Sequence, residues 1–278
     1  MTYDYPHLTV TVRDGVATVL IDNPPINLMT SGLFRSLAKV SVDLSKDDEV
    51  RVVVLRSANP EFFIAHFDVT AILEFPTNGE AVEEPELGGF DRMCEAYRTM
   101  GKVTIAELRG RVGGGGAELS SACDMRFGDL ETFQWNQMEV PLGILPGGGG
   151  TQRIPRLVGI GRAMEVVLGA DDVDAETAER WGFLNRAMSG DSLSAYVDAL
   201  ATRIASFPPA AVREAKRAVN ASVERSLDEG LKYESYLFQV LLRDVDAQPS
   251  MRQYLDAGGQ TRDVELRIGS VMGELFDT

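Results

Sequence analysis

The chain is poor in the residues that build metal centres and cross-links: 278 residues include two cysteines and two histidines. Cys94 and Cys123 stand far apart without a CxxC spacing, and His7 and His66 are the only imidazoles, so a Cys/His zinc site cannot be assembled. This usage fits a reduced, cytoplasmic chain with no bound metal. Basic residues are also scarce, 27 against 42 acidic, for a formal charge of −15. That balance argues against nucleic acid and anionic membranes as partners, since both need a concentrated positive field. No apolar stretch approaches the roughly 20 residues of a membrane span. The start, MTYDYPHLTV, lacks a basic segment followed by an apolar run, so no targeting segment is expected.

With 44% hydrophobic residues, the chain can bury one large core, or one core plus an appended subdomain. LTVTV (8–12) and VATVLI (16–21), separated by Arg13-Asp14-Gly15, predict a hairpin. From Ser31 to about Ser45, Leu33, Leu37, Val40 and Leu44 recur at helical spacing, and RVVVLRS (51–57) reads as a strand buried on both faces. Leu73 to Gly89, rich in Pro, Gly and Glu, predicts a mobile loop. VTIAEL (103–108) is another buried strand, followed by a glycine run that turns into a helix at Ala117. A second glycine run, PGGGGTQRIPRLVG (146–159), and a mostly helical remainder follow, interrupted by the short strand LNRAM (184–188). The expected architecture is an α/β core over residues 1–200 and a helical C-terminal region over 201–278. There, Ala210, Val212, Ala215, Ala218 and Val219, then Leu231, Tyr236, Phe238, Leu241 and Leu242, form apolar sets whose simple reading is core packing.

The glycine runs carry the functional question. A phosphate-cradling loop needs Lys and then Ser or Thr after its last glycine, and neither GGGGAE nor GGGGTQ supplies them. A dinucleotide fingerprint needs a third glycine where this chain has Glu118 or Gln152. Two readings stay open. Glycines at a helix start expose N–H groups that favour developing negative charge, or they permit a tight strand-to-helix crossing.

GRVGGGGAELSSACD resembles the segment of the crotonase (enoyl-CoA hydratase/isomerase) superfamily in which a glycine cluster precedes a catalytic glutamate. QMEVPLGILPGGGGTQRIPRLVG resembles its second signature, and NPPINLM, FIAHFDV and GRAMEVVLGADDVDAETAERWGFLNRAM extend the similarity over roughly residues 8 to 220. The resemblance implies a crotonase-like α/β fold, a spiral of ββα units with a C-terminal helical portion. It also implies an acyl-CoA thioester substrate, with coenzyme A as part of the substrate and no separate cofactor. The thioester oxygen would sit between two backbone N–H groups, which by motif position are those of Ala65 and Gly115; loss of one such donor costs about 3 kcal/mol of barrier. Glu118 would activate water for attack on Cβ, and Glu139 would deliver the proton to Cα, if their surroundings separate their protonation states. Leu28, His66, Phe67, Asp68 and Gly114 would line the substrate site.

This chain has Ala65-His66-Phe67-Asp68 where the family has A-G-x-D, so His66 replaces a glycine. Arg109 and Arg111, which flank Gly110, offer charge to a carboxylate or phosphate on a ligand, though the commoner reading of exposed arginines is solvated surface. The implied activity is that of a lyase of fatty acid metabolism, an enoyl-CoA hydratase. The alternatives are an isomerase, another CoA-thioester lyase, or a non-hydrating acyl-CoA-binding protein obstructed by His66. A homotrimer or a dimer of trimers is implied as the assembly, with the helices of 201–278 building trimer contacts and covering the active site.

Overall fold

The structure is a computed structural model and describes residues 3–276. The hairpin forms as expected: β1 (Leu8–Arg13) runs antiparallel to β2 (Val16–Ile21), and Asp14 and Gly15 turn the chain at positive φ. Helix α1 (Ser31–Lys46) starts where the Thr30 hydroxyl accepts a hydrogen bond from Leu33 N–H, and Leu33, Leu37, Val40 and Leu44 are fully buried. Strand β3 (Val52–Ser57) continues the sheet in parallel, with its first four residues buried on both faces.

Beyond β3 the chain repeats one manoeuvre. A long strand joins the main sheet, then a short strand joins a second sheet, and a helix returns the chain. Thus β3 is followed by β4 (Phe62–Ile64), then α2 (Val69–Leu73) and α3 (Gly89–Thr99). Strand β5 (Val103–Leu108) is followed by β6 (Arg111–Gly113) and α4 (Gly115–Ala122). Strand β7 (Met125–Asp129) is followed by β8 (Gln134–Asn136), α5 (Gly150–Val158) and α6 (Ile160–Gly169). Short β9 (Val173–Asp174), α7 (Ala175–Trp181) and β10 (Arg186–Met188) complete the core. The main sheet has the order β1-β2-β3-β5-β7-β10 and the small sheet β4-β6-β8-β9. All main-sheet neighbours after the hairpin are parallel, as are β4, β6 and β8. This is the expected spiral of ββα units. The helix after the first glycine run begins at Gly115 rather than Ala117, because Arg111–Gly113 first pairs as a strand.

Apolar packing lies on both faces of the main sheet. On one, α8 (Gly190–Ser206) buries Leu193, Val197 and Ala201 against Val52, Val54, Ile105 and Phe127; on the other, α1, α3 and α4 enclose the larger cluster. Residue 200 lies inside α8, which therefore runs across the expected boundary between core and helical region. Further on come α9 (Pro209–Ala221), α10 (Leu227–Leu241), α11 (Ala247–Asp256), α12 (Arg262–Glu265) and α13 (Ile268–Glu274). The last of these folds back on α8: Arg203 donates to the Gly269 carbonyl, and Phe276 packs edge-on against Phe207 at 5.8 Å. The core reading of α9 and α10 is corrected at several positions. Val219, Leu231, Tyr236 and Phe238 are exposed, and of α10 only Leu237 is buried, so these apolar side chains are not covered by the described residues.

Leu37 is fully buried in the main core, so Leu37→Ala removes packing that the rigid sheet cannot refill. The expected loss is about 3 kcal/mol of unfolding free energy, measured by urea titration.

Candidate functional site

The three parallel short strands end side by side, and each hands its next residues to one place. After β4 come Ala65, His66 and Phe67. Met29 on the neighbouring segment donates to the His66 carbonyl at 2.9 Å and accepts from Asp68 N–H at 3.1 Å. A trans peptide points its C=O and the following N–H in opposite directions. With the His66 carbonyl turned to Met29, the Phe67 N–H is turned away from it, and it has no partner among the described residues. Ala65 is different: its N–H already donates to the Ile26 carbonyl at 3.3 Å. The expectation that Ala65 supplies a free donor is therefore corrected; later in the same motif the N–H groups of His66 and Phe67 have no acceptor among the described residues, and Phe67 is the one beside Gly115.

After β6 the glycine run answers both of its readings. A β-carbon at Gly113 would lie 2.2 Å from the Ala65 carbonyl oxygen, and one at Gly116 would lie 2.6 Å from that of Ile64. These two glycines let strand β4 pass close by. Gly114 adopts φ 44°, and a β-carbon there would meet Glu139 Oε1 at 2.8 Å and His66 Cβ at 3.2 Å. Gly115 opens α4 with an N–H that no described residue accepts. The position of its absent β-carbon is 3.6 Å from Phe67 Cβ, which puts the two free N–H groups on neighbouring stretches of backbone.

The carboxylates come from α4 and from the end of β8. Glu118, in the first turn of α4, is 4% exposed. Its Oε1 accepts from Gly148 N–H at 2.7 Å and Gly150 N–H at 3.0 Å, so the second glycine run grips the glutamate of the first. Burial pushes the Glu118 carboxyl up, while the N–H groups of Gly150 and Gly148 pull it back. Glu139 is half-buried at the entry to a short 3-10 turn, Val140–Leu142, and its Oε2 is buried without a partner among the described residues. Burial first, and then the charge of Glu118, raises its carboxyl to about 7. Glu118 is held by two donors and Glu139 Oε2 by none, and burial raises both carboxyls.

His66 Nδ1 lies 2.8 Å from the Phe67 carbonyl oxygen, which can only accept, so Nδ1 carries the proton. The non-glycine residues at positive φ are His7, Asp14, Asn27, Ala170 and Gln260, so the replacement of glycine by His66 carries no left-handed strain. Leu28 is half-buried beside Met29, and its carbonyl accepts from Asn23 Nδ2. Asp68 caps α2 by accepting from Thr70 N–H. Arg109 pairs with Asp129 at 2.8 Å, and Arg111 binds Asp172 through two nitrogens, so both guanidinium groups meet carboxylates of the chain itself.

Four residues were not anticipated. Asn27, buried, donates to Ser57 Oγ and to the Phe62 and Phe63 carbonyls, fixing the segment that carries Ile26 and Met29. Arg153 donates to the Gly148 carbonyl and to Glu95, holding the loop that grips Glu118. Buried Gln137 has no hydrogen-bond partner for its side-chain amide among the described residues. Phe90 covers Gly115 and Gly148. Of these, Arg153 had a signal in its place three residues after the second glycine run.

Two N–H groups without acceptors thus lie on neighbouring stretches of backbone, with the carboxylates of Glu118 and Glu139 nearby. The chain belongs to the enoyl-CoA hydratase/isomerase family, whose model matches residues 11–261. It is 30% identical to the short-chain-enoyl-CoA hydratase of Clostridium acetobutylicum, over 87% of this chain and 91% of that one. It is 29% identical to the crotonyl-CoA hydratase of Syntrophomonas wolfei, over 91% and 96% of the two chains. The solved enoyl-CoA hydratase of Bacillus anthracis superposes with a TM-score of 0.82 at 26% identity, covering 91% of this chain and 97% of that structure.

The Glu139 carboxyl is raised above its ordinary value, so it binds its proton more tightly folded than unfolded. Its contribution to stability is present below the ordinary carboxylate range and is lost as pH rises through about 7. Glu139→Gln, which stays neutral, is expected to raise the melting temperature at about pH 8 and to leave it nearly unchanged near pH 4. Equal effects of the substitution at both pH values would contradict the assigned shift.

Proposed function

We propose that the protein is an enoyl-CoA hydratase, adding water across the 2,3 double bond of an enoyl-CoA thioester. The observation that carries this reading is the placement of two unlike carboxyls, Glu118 held by two glycine N–H groups and Glu139 with its Oε2 buried and unpaired, beside the free N–H groups of Phe67 and Gly115. Water loses a proton to Glu118 as its oxygen bonds to Cβ. The double-bond electrons move to the thioester oxygen, held by the Phe67 and Gly115 N–H groups. The enolate then takes its proton at Cα from Glu139. Fixed donors favour the enolate over the ground state because they need not reorient as charge grows. Coenzyme A enters as part of the substrate and no further cofactor takes part. An isomerase needs one carboxylate to move a proton, so two carboxylates in different surroundings favour hydration.

The assembly proposed is a trimer, singly or paired, of a soluble cytoplasmic enzyme of fatty acid metabolism. Its support is apolar surface that this chain leaves open: Ile160, Met164 and Leu168 on α6, and Val219, Leu231 and Phe238 on α9 and α10. Among the described residues, no helix is long and apolar enough to cross a membrane.

Loss of the conjugated-thioester absorbance of crotonyl-CoA is the direct assay. Glu118→Gln and Glu139→Gln are each expected to lower kcat by roughly 10²–10⁴-fold. Hydration needs protonated Glu139, so kcat/KM is expected to fall as pH rises through about 7, with dehydration of the hydroxyacyl product showing the opposite limb. No absorbance loss with any enoyl-CoA, in folded protein, would refute the reading. For the assembly, sedimentation is expected to give a trimer or hexamer, and Phe238→Glu to shift it toward smaller species; a native monomer would refute it.

A further inference from the structure

Phe90 is the first residue after Gly89 in α3, which follows the irregular stretch 74–88. Its ring has an unusual seat. A β-carbon at Gly148 would lie 2.4 Å from Phe90 Cδ1 and 2.6 Å from Glu118 Oε2, so ring and carboxylate close on the space left by one absent side chain. The same ring reaches Gly115, where a β-carbon would lie 3.3 Å from Phe90 Cζ. Phe90 thus covers both the helix start that offers a free N–H and the loop that grips Glu118.

The ring is braced from two sides. Phe34 of α1 stacks on it, with centroids 5.9 Å apart and planes 9° apart, and Phe67 meets it edge-on at 5.9 Å and 71°. Phe67 is the residue whose N–H faces away from Met29, so the wall and the donor share a residue. Stacked and edge-on rings hold each other in place beyond simple burial. The cluster brings no charge of its own. A reacting Cβ beside Glu118 would therefore lie close to this aromatic cluster.

We propose that Phe90, seated by Gly148 and braced by Phe34 and Phe67, is the specificity-determining end wall of the acyl pocket and restricts the substrate to short, unbranched, apolar acyl groups of crotonyl size. This rests on the acyl-CoA reading of the site. A methylene that fits a hydrophobic pocket or fails to fit changes selectivity by about tenfold or more, so several surplus methylenes against a braced ring give strong rejection.

The test is binding of saturated thioesters, which does not need hydration, alongside turnover. Dissociation constants for butyryl-CoA and octanoyl-CoA are measured by calorimetry for the native full chain, Phe90→Ala and Phe90→Leu. Values of kcat/KM for crotonyl-CoA and trans-2-octenoyl-CoA are measured in parallel. The native protein is expected to prefer the butyryl thioester by at least about tenfold, and Phe90→Ala to erase most of that preference by binding octanoyl-CoA more tightly, with Phe90→Leu between them. Circular dichroism checks folding, and Phe90→Leu carries the test where Phe90→Ala does not fold. Equal native affinities for the two thioesters, binding of neither, or an unchanged ratio in a folded variant overturns the proposal. A shifted binding ratio with no turnover of any enoyl-CoA upholds the end wall and refutes the hydratase reading instead.

Discussion

Two hydrogen bonds to one carboxylate oxygen hold the site together. Glu118 Oε1 takes the N–H groups of Gly148 and Gly150, joining the first helix of the glycine-rich crossing to the start of α5. A buried carboxylate without such donors would be costly and would take up a proton instead. The grip needs glycine: a β-carbon at Gly150 would crowd Pro146 at 2.8 Å, and one at Gly148 would strike both Phe90 and Glu118. Arg153 then fixes the loop from behind through the Gly148 carbonyl and is itself held by Glu95. Glu118 is thereby fixed in position, and its charge is the second cause, after burial, that raises the Glu139 carboxyl.

The donors opposite depend on backbone geometry alone. Peptide planarity converts one hydrogen bond, Met29 N–H to the His66 carbonyl, into an orientation for the next N–H along the chain. At Gly115 the same service comes from the helix start, whose first N–H groups have no partner within the helix. Neither device uses a side chain, so His66 stands where the family pattern has glycine without altering the direction of the neighbouring N–H. Its ring is tied down by its own bond to the Phe67 carbonyl.

Features set by local periodicity were legible in the sequence. The α1 stripe, the doubly buried β3, the hairpin and the ββα architecture follow from spacing, turn residues and family motifs, as do both glutamates and the glycine run. What failed depends on contacts between distant segments. That the N–H groups of Ala65 and Asp68 are taken is decided by Ile26 and Met29, and no pattern within the motif encodes that. Arg109 and Arg111 looked available because their partners, Asp129 and Asp172, lie on other strands and turns. The apolar positions of α10 show helical periodicity whether they meet this chain's core or another surface. Phe90 borders a stretch without periodicity, so only the fold brings it onto Gly115 and Gly148.

The account stands on the placement of the thioester oxygen. A crystal structure with bound butyryl-CoA, which cannot be hydrated, tests it most directly. The account predicts the thioester oxygen about 3 Å from both Phe67 N and Gly115 N, with the Ala65 N–H still bonded to Ile26. An oxygen held by Ala65 N–H, or by neither of the two predicted donors, would contradict it.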